Sequence, residues 1–215
     1  MPKFSDDVHE AKRELRVALL AARRSLSAPR RAEAAASVQA ELVALVRRLR
    51  PARMTAYVPV ASEPGGDDLP DVLRGALPAD AGLLLPVLRD DLDLDWAAYT
   101  GRESLRAAGR GLREPTGPPL GRAAVAGADL VVVPALAVDH RGVRLGRGGG
   151  SYDRALARVP AGVPTVALLH DGELVTSVPA GPHDRPVHWV ITPSDGLVAV
   201  PGVGPGASAG RTRVR

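Results

Sequence analysis

Val8, Ala11, Leu15, Ala18, Leu19 and Ala22 recur at three- and four-residue spacing, which predicts an amphipathic helix over residues 6–24. Ser27, Ala28 and Pro29 then offer a capping hydroxyl and a first-turn proline for a second helix. Its apolar stripe runs through Val38, Leu42, Leu45 and Leu49 before Pro51 ends it. From there the pattern changes to short apolar runs at residues 54–58, 83–87, 94–99, 130–133, 165–169 and 189–191, read as strands. Helical segments at 68–77 and 152–158 fall between them. Strands alternating with helices predict an α/β fold: a three-layer α/β/α architecture with a mostly parallel sheet and an N-terminal helical pair. Residues 1–195 are expected to form one domain. From Gly196 onward the chain is rich in Gly, Pro, Ser and Ala without periodicity, so residues 196–215 are expected to be a disordered tail. No internal repeat is found.

Composition narrows the class. The 215 residues are 45% hydrophobic but only 3% aromatic, so the core must be built from Leu, Val and Ala. The absence of cysteine excludes disulfides and thiolate metal sites and fits a cytoplasmic protein. The first seven residues, ending Ser5-Asp6-Asp7, are too acidic for a signal peptide, and the apolar run at 17–22 is too short for a membrane span. Net charge is +4, but Arg211, Arg213 and Arg215 supply three of those charges, leaving +1 for residues 1–196. With few aromatic stacking platforms as well, nucleic-acid binding is not expected. Lys3 and Lys12 are the only lysines in an otherwise all-arginine basic set.

The densest chemical signal is Arg144-Leu-Gly-Arg-Gly-Gly-Gly-Ser-Tyr-Asp-Arg154, with glycine at 146, 148, 149 and 150. An expected buried strand, Leu130-Val-Val-Val-Pro134, precedes it, and an expected helix starts at Tyr152. A strand, a glycine loop carrying arginines and a helix start can hold phosphate, because glycine lets backbone N–H groups approach an anion and the helix end is partly positive. A solvent-exposed loop of low complexity is the alternative. The run fits neither G-x-G-x-x-G, since Ser151 replaces the last glycine, nor a P-loop, since no Gly-Lys-Ser/Thr follows.

Asp153, just after the loop, reads either as an ordinary first-turn acid or as a Mg²⁺ ligand. Asp184 is the second carboxylate candidate. Lys12 and Arg16, four residues apart, share a helical face as solvated charges or as ligand contacts. Glu63 either faces the same crevice or caps a turn. The five histidines form no zinc pattern, and no G-x-S-x-G elbow marks a serine nucleophile.

Five pieces in order carry a resemblance: Lys12-Arg-Glu-Leu-Arg16; Tyr57-Val-Pro-Val-Ala-Ser-Glu63; Glu114-Pro115; Val132-Val-Pro-Ala-Leu-Ala-Val-Asp139 continuing through Arg144 to Arg154; and His183-Asp-Arg-Pro186. Over residues 11–195 the chain resembles the 5-formyltetrahydrofolate cyclo-ligase family, also called 5,10-methenyltetrahydrofolate synthetase. The resemblance implies ATP-dependent, Mg²⁺-assisted cyclisation of 5-formyltetrahydrofolate by a cytoplasmic monomer that binds no nucleic acid or membrane. It implies ATP contacts from Lys12, Arg13, Glu14, Leu15 and Arg16, and from Arg144, Leu145, Gly146, Arg147, Gly148, Gly149, Gly150, Ser151 and Tyr152. Val60, Glu63 and residues Arg147, Gly148, Gly149, Gly150 and Ser151 would border the folate, Asp153 and Asp184 would hold Mg²⁺, and Arg147 would stabilise the transferring phosphoryl. Two positions depart from the family pattern. Ser151 stands where an aromatic is usual, and Gly65 where a second acid is usual, with Asp67 and Asp68 as candidates in a shifted register. The rival readings are an ATP-independent sugar-phosphate isomerase or acyl-transfer enzyme, and a non-catalytic folate- or RNA-binding protein.

Overall fold

The computed structural model describes residues 3–181 and 184–201, with side chains from Asp7 onward. Among the described residues four α-helices form: α1 (Lys3–Ser25), α2 (Ala28–Leu49), α3 (Leu69–Ala76) and α4 (Ser151–Leu156). The strands are β1 (Arg53–Thr55), β2 (Gly82–Leu88), β3 (Leu94–Ala98), β4 (Leu105–Ala107), β5 (Arg113–Pro115), β6 (Leu130–Pro134), β7 (Ala137–Asp139), β8 (Arg144–Leu145), β9 (Thr165–Leu168), β10 (Leu174–Val175), β11 (Trp189–Thr192) and β12 (Gly196–Ala199). Seven of them form the central sheet in the order β12-β11-β9-β6-β1-β2-β3. The five inner strands run parallel, and β12 and β3 close the two edges antiparallel. The expected three-layer α/β arrangement is present.

The inner strands are apolar on both faces because both are covered. Alternate residues go to opposite sides. Val132, Val166 and Leu168 meet α2 and α3 through Val38, Leu42, Leu45, Leu69 and Leu73. Val131, Val133 and Ala167 meet Ala155 and Leu156 of α4 and Val125 on the other face. Each fully buried leucine or valine here contributes about 1.5–3 kcal/mol of transfer free energy. Helix α2 starts where its signals place it: the Ser27 hydroxyl accepts from the Arg30 amide, and Arg50 ends it in the left-handed region at φ 47°.

The helical pair divides its work. Whereas α2 covers the central sheet, α1 turns Leu15 and Leu19 toward Leu136, Ala137, Leu145 and Val178. Those residues belong to or adjoin a small sheet, β10-β7-β8, that follows the carboxyl end of β6. This packing carries α1 past the strand ends, where open α/β sheets bind ligands.

Two expectations on element boundaries are corrected. Strand β1 pairs only over Arg53–Thr55 rather than 54–58, because the chain leaves the sheet after Ala56 and the Tyr57 hydroxyl donates to the Pro64 carbonyl (2.7 Å). The expected tail does not begin at Gly196. Residues Gly196–Ala199 turn back as β12 on β11, with Leu197 opposite Ile191. Residues 202–215 of that tail lie outside the described residues, as does His183.

Candidate functional site

A cleft of about 530 Å³ opens beyond the carboxyl ends of the central strands, and α1, the Val60–Glu63 turn, the β4–β5 hairpin and the glycine loop contribute to its wall. The glycine loop connects β8 to α4, and the whole segment from Arg144 to Asp153 faces the cleft. Gly148 sits at φ +103°, a backbone region closed to side-chain-bearing residues, with the Arg16 guanidinium carbon 3.6 Å from where a Cβ would stand. Arg16 itself donates from Nε to the Gly146 carbonyl (2.9 Å), tying α1 to the loop.

Lys12 and Arg16 both reach the cleft from one face of α1. Lys12 Nζ lies 2.7 Å from Asp184 Oδ2, which also accepts the Gly181 amide (2.7 Å). Burial pushes the Asp184 carboxyl up, but the Lys12 ammonium and that amide outweigh it and hold it below the ordinary aspartate value. Of the residues named with them, Arg13 and Glu14 are exposed on the far side of the helix, and Arg13 is spent on Glu10. Leu15 packs into the small-sheet core. The structure does not bring these three to the cleft.

Arg144 is 4% exposed and lies at the cleft floor. It donates to Asp153 Oδ1 (2.8 Å) and to the Pro134 carbonyl (3.2 Å), with its guanidinium 5.8 Å from the Tyr152 ring centre. Arg144 Nε and the Tyr152 hydroxyl are buried without partners among the described residues, an unspent donor set at the cleft wall. Burial, then the Glu63 charge, pushes the Tyr152 phenol far up, with Arg144 opposing, so it stays protonated at any working pH.

Val60 and Glu63 are held as a unit. The Glu63 amide donates to the Val60 carbonyl (3.1 Å), the Val60 amide donates to Glu63 Oε2 (3.0 Å), and Ala61 between them takes a left-handed φ of 55°. The other oxygen, Glu63 Oε1, meets Arg147 Nε at 3.0 Å. Glu63 is thus a turn cap and a cleft-facing acid at once.

Sequence reasoning missed the network beneath. Arg23, 1% exposed, makes a two-pronged pair with Glu173 (2.6 and 2.8 Å) and donates to the Ala135 carbonyl (2.6 Å). Glu173 accepts the His170 amide (2.8 Å), and the His170 ring Nε2 is 3.0 Å from the Ser62 carbonyl. A continuous polar chain therefore runs from α1 to the Val60–Glu63 turn. No local motif announces partners 150 residues apart. Arg110 and Arg113 of the hairpin also line the cleft without having been singled out.

The two departures from the family pattern have physical accounts. Gly65 adopts φ +109°, and a Cβ there would stand 2.8 Å from Leu69 Cδ2, so this backbone excludes the acid. Asp67 and Asp68 do not replace it: both are exposed away from the cleft, with Asp68 accepting from Gln39 (2.7 Å). Ser151 does line the cleft as the first residue of α4, offering a hydroxyl where a ring would stack.

Across the cleft, seven Lys and Arg side chains face four carboxylates, Glu63, Glu114, Asp153 and Asp184. The lining is net positive. Residues 8–193 match the 5-formyltetrahydrofolate cyclo-ligase family. The chain belongs to that family. A 5-formyltetrahydrofolate cyclo-ligase of Mycolicibacterium smegmatis is 43% identical over 195 residues, spanning 88% of this chain and 97% of the relative. An Escherichia coli cyclo-ligase is 40% identical over a shorter stretch of 67 residues. Among solved structures, the 5,10-methenyltetrahydrofolate synthetase of Aquifex aeolicus superposes with a TM-score of 0.73 at 26% identity, over 88% of this chain and 93% of that one. The synthetase from Mycoplasma pneumoniae shares the fold at a TM-score of 0.65 and 18% identity. These cyclo-ligase relatives lend nothing to the isomerase or non-catalytic readings.

Proposed function

We propose that this cyclo-ligase family member closes the N5-formyl group of 5-formyltetrahydrofolate onto N10 with ATP, giving 5,10-methenyltetrahydrofolate, ADP and phosphate. The observation that carries the reading is convergence. Cations from α1 and the glycine loop meet the Val60–Glu63 turn in one cleft, joined by the 3.0 Å contact between Arg147 and Glu63. A triphosphate and a second, partly apolar substrate are thereby brought side by side, which a ring closure driven by phosphoryl transfer requires.

Chemically, the formyl oxygen is a poor leaving group until phosphorylated. Its attack on the γ-phosphorus breaks the bond to the β-bridging oxygen and releases ADP. N10 then adds to the activated formyl carbon, the N10 proton is lost, and the carbon–oxygen bond breaks to release phosphate. The protein positions the two substrates and neutralises charge. Lys12, Arg16 and Arg144 would pair with phosphate oxygens, and glycine-loop amides would approach them closely. Arg147 would sit over the transferring phosphoryl, with the four N–H donors of its terminal nitrogens left once Nε faces Glu63. Leu145 and Tyr152 would border the nucleotide, and Val60, Glu63 and Ser151 the pterin.

Asp153 and Asp184 suit Mg²⁺. Each spends one oxygen on a cation, Asp153 Oδ1 on Arg144 and Asp184 Oδ2 on Lys12, and the second oxygen of each makes no hydrogen bond among the described residues. No group of three or more potential ligands occurs among those residues. Two carboxylates with the remaining positions left to phosphate and water are what magnesium usually takes. Bound there, the ion would neutralise β- and γ-phosphate charge; Arg144 and Lys12 would keep the two carboxylates aimed.

We propose a monomeric enzyme, and no helix among the described residues is long and apolar enough to cross a membrane. We place it in the cytoplasm without a nucleic-acid partner. Incubation of the purified protein with ATP, Mg²⁺ and 5-formyltetrahydrofolate tests the reading: methenyl absorbance at the edge of the visible should grow only with ATP. No such growth at any pH from weakly acidic to weakly alkaline contradicts it.

A further inference from the structure

Two turns beyond the strand ends share one plan. In the turn after β1, the Glu63 amide donates to the Val60 carbonyl (3.1 Å) and Glu63 Oε2 accepts the Val60 amide (3.0 Å). In the turn after β9, the Glu173 amide donates to the His170 carbonyl (3.2 Å) and Glu173 Oε2 accepts the His170 amide (2.8 Å). They differ in the residue that takes a left-handed φ. After β9 it is Gly172, at φ 82° and without strain; after β1 it is Ala61, at φ 55°. A strained backbone of that kind persists only where its surroundings hold it.

The His170 ring supplies that hold. Sheet order puts β6 between β9 and β1, and the ring spans the gap to place Nε2 3.0 Å from the Ser62 carbonyl, inside the strained turn. A carbonyl only accepts, so the ring proton is assigned to Nε2, which donates. His170 is 6% exposed, and its own turn is fixed from behind: both prongs of Arg23 hold Glu173, and Arg23 also donates to the Ala135 carbonyl. On the far side of the strained turn the Tyr57 hydroxyl donates to the Pro64 carbonyl (2.7 Å). Ala61 itself is exposed, so its side chain adds little packing to offset the strain.

We infer that His170 is a positioning residue for the folate side of the cleft, its Nε2–H holding the Val60–Glu63 turn in the strained form that presents Glu63 to the substrate and to Arg147. The inference rests on the cyclo-ligase reading, in which Val60 and Glu63 border the pterin. Without the ring's hydrogen bond Ala61 relaxes, and the Glu63 carboxylate loses the turn that aims Oε1 at Arg147 Nε (3.0 Å). Folate must then re-form the turn as it binds, and its apparent affinity falls with the fraction of molecules that already hold the turn. The nucleotide side is spared, since Lys12 and Arg144 are held by Asp184 and Asp153 rather than by this turn. A purely structural histidine would instead reduce the amount of active enzyme and leave KM alone.

The test compares two amides at position 170. His170→Gln places an amide N–H where Nε2 stood, whereas the side chain of His170→Asn is too short to reach Ser62. The Asn variant should raise KM for 5-formyltetrahydrofolate about tenfold, the scale of one lost hydrogen bond, with KM for ATP within about twofold and kcat within about threefold. The Gln variant should stay within about threefold of the unaltered enzyme in every constant. Ala61→Gly added to the Asn variant removes the strain and should return most of the lost affinity. Ala61→Val, made with His170 in place, deepens the strain at the same exposed position and should by itself raise KM for the folate, which carries the test even if the Asn variant is unstable. Equal effects of Asn and Gln, no recovery from Ala61→Gly, no rise from Ala61→Val, or lost activity at unchanged KM overturns the role of His170 alone. No turnover of the folate by the unaltered enzyme overturns the cyclo-ligase reading beneath it.

Discussion

Arg147 Nε and Glu63 Oε1 stand 3.0 Å apart, joining the glycine loop to the turn that follows β1. Arg147 is half exposed while Glu63 is nearly covered, so the carboxylate is the fixed partner and the guanidinium the adjustable one. The pair sits where the two proposed substrates meet, which makes it the most informative place to perturb.

Arg147→Ala should lower kcat by about 10²–10³-fold, the scale of removing one preorganised donor from a developing charge. Arg147→Lys should recover only part of that loss, because an ammonium cannot hold Glu63 and a phosphoryl group through separate edges. Glu63→Gln should act on KM for the folate. Steady-state kinetics with each substrate varied separates the two effects, and an Arg147→Ala enzyme with unchanged kcat would remove that residue from the chemistry.

Lys12→Ala should raise KM for ATP about 10–100-fold, corresponding to a charge-assisted contact of about 1.5–3 kcal/mol. Arg13→Ala, on the exposed face and paired with Glu10, should leave KM for ATP unchanged. Equal effects from the two would mean that α1 acts by bulk charge rather than through the face it turns to the cleft.

Arg23 and Glu173 form a buried pair under the cleft, 1% and 6% exposed at the side chain. Removing one partner strands the other charge, so Glu173→Leu should cost about 3–5 kcal/mol in chemical denaturation. The double change Arg23→Met with Glu173→Leu should cost markedly less, yet still raise KM for both substrates. The reason is that the pair links α1 to Ala135 and, through His170, to the Val60–Glu63 turn.

Asp93 supplies the pH dependence. Its carboxyl is held below the ordinary aspartate value first by the hydrogen bond from Arg158, and further by the Leu94 amide, against the opposing effect of burial. The unfolded chain therefore binds the Asp93 proton more readily than the folded one. The stabilisation is complete above the ordinary aspartate pKa of about 3.9 and is lost as pH falls through the lower folded value. Asp93→Asn should flatten the fall in stability on acidification, measured as urea midpoints at successive pH values. The glycine loop should loosen too, since Arg154, close to the same carboxylate, donates to both the Leu92 carbonyl (2.6 Å) and the Gly149 carbonyl (3.0 Å).

Much of this was legible along the chain, for reasons that can be named. Helices α1 and α2 run 23 and 22 residues, long enough for their apolar stripes to repeat several times. The inner strands announce themselves as short unbroken apolar runs because both of their faces are covered. The small sheets were invisible: β8 and β10 are two residues each, too short to show alternation. Strand β12 was not invisible but overlooked. Asp195-Gly196 between apolar runs is a hairpin signal, and here Thr192 pairs with Gly196 across a three-residue loop. In the site, reading Lys12 to Arg16 as one block assigned ligand contacts to Arg13, Glu14 and Leu15. Of those five residues, helical geometry puts Lys12 and Arg16 on the cleft face. The Arg23–Glu173–His170 chain had no local trace, since only the fold brings those residues together.

Coupling of a triphosphate to ring closure within one cleft fixes the product stoichiometry. With limiting 5-formyltetrahydrofolate and excess ATP and Mg²⁺, ADP and methenyl product should appear together in equal amounts and stop together. Methenyl product without ADP, or ADP formed at the same rate with the folate omitted, would contradict it.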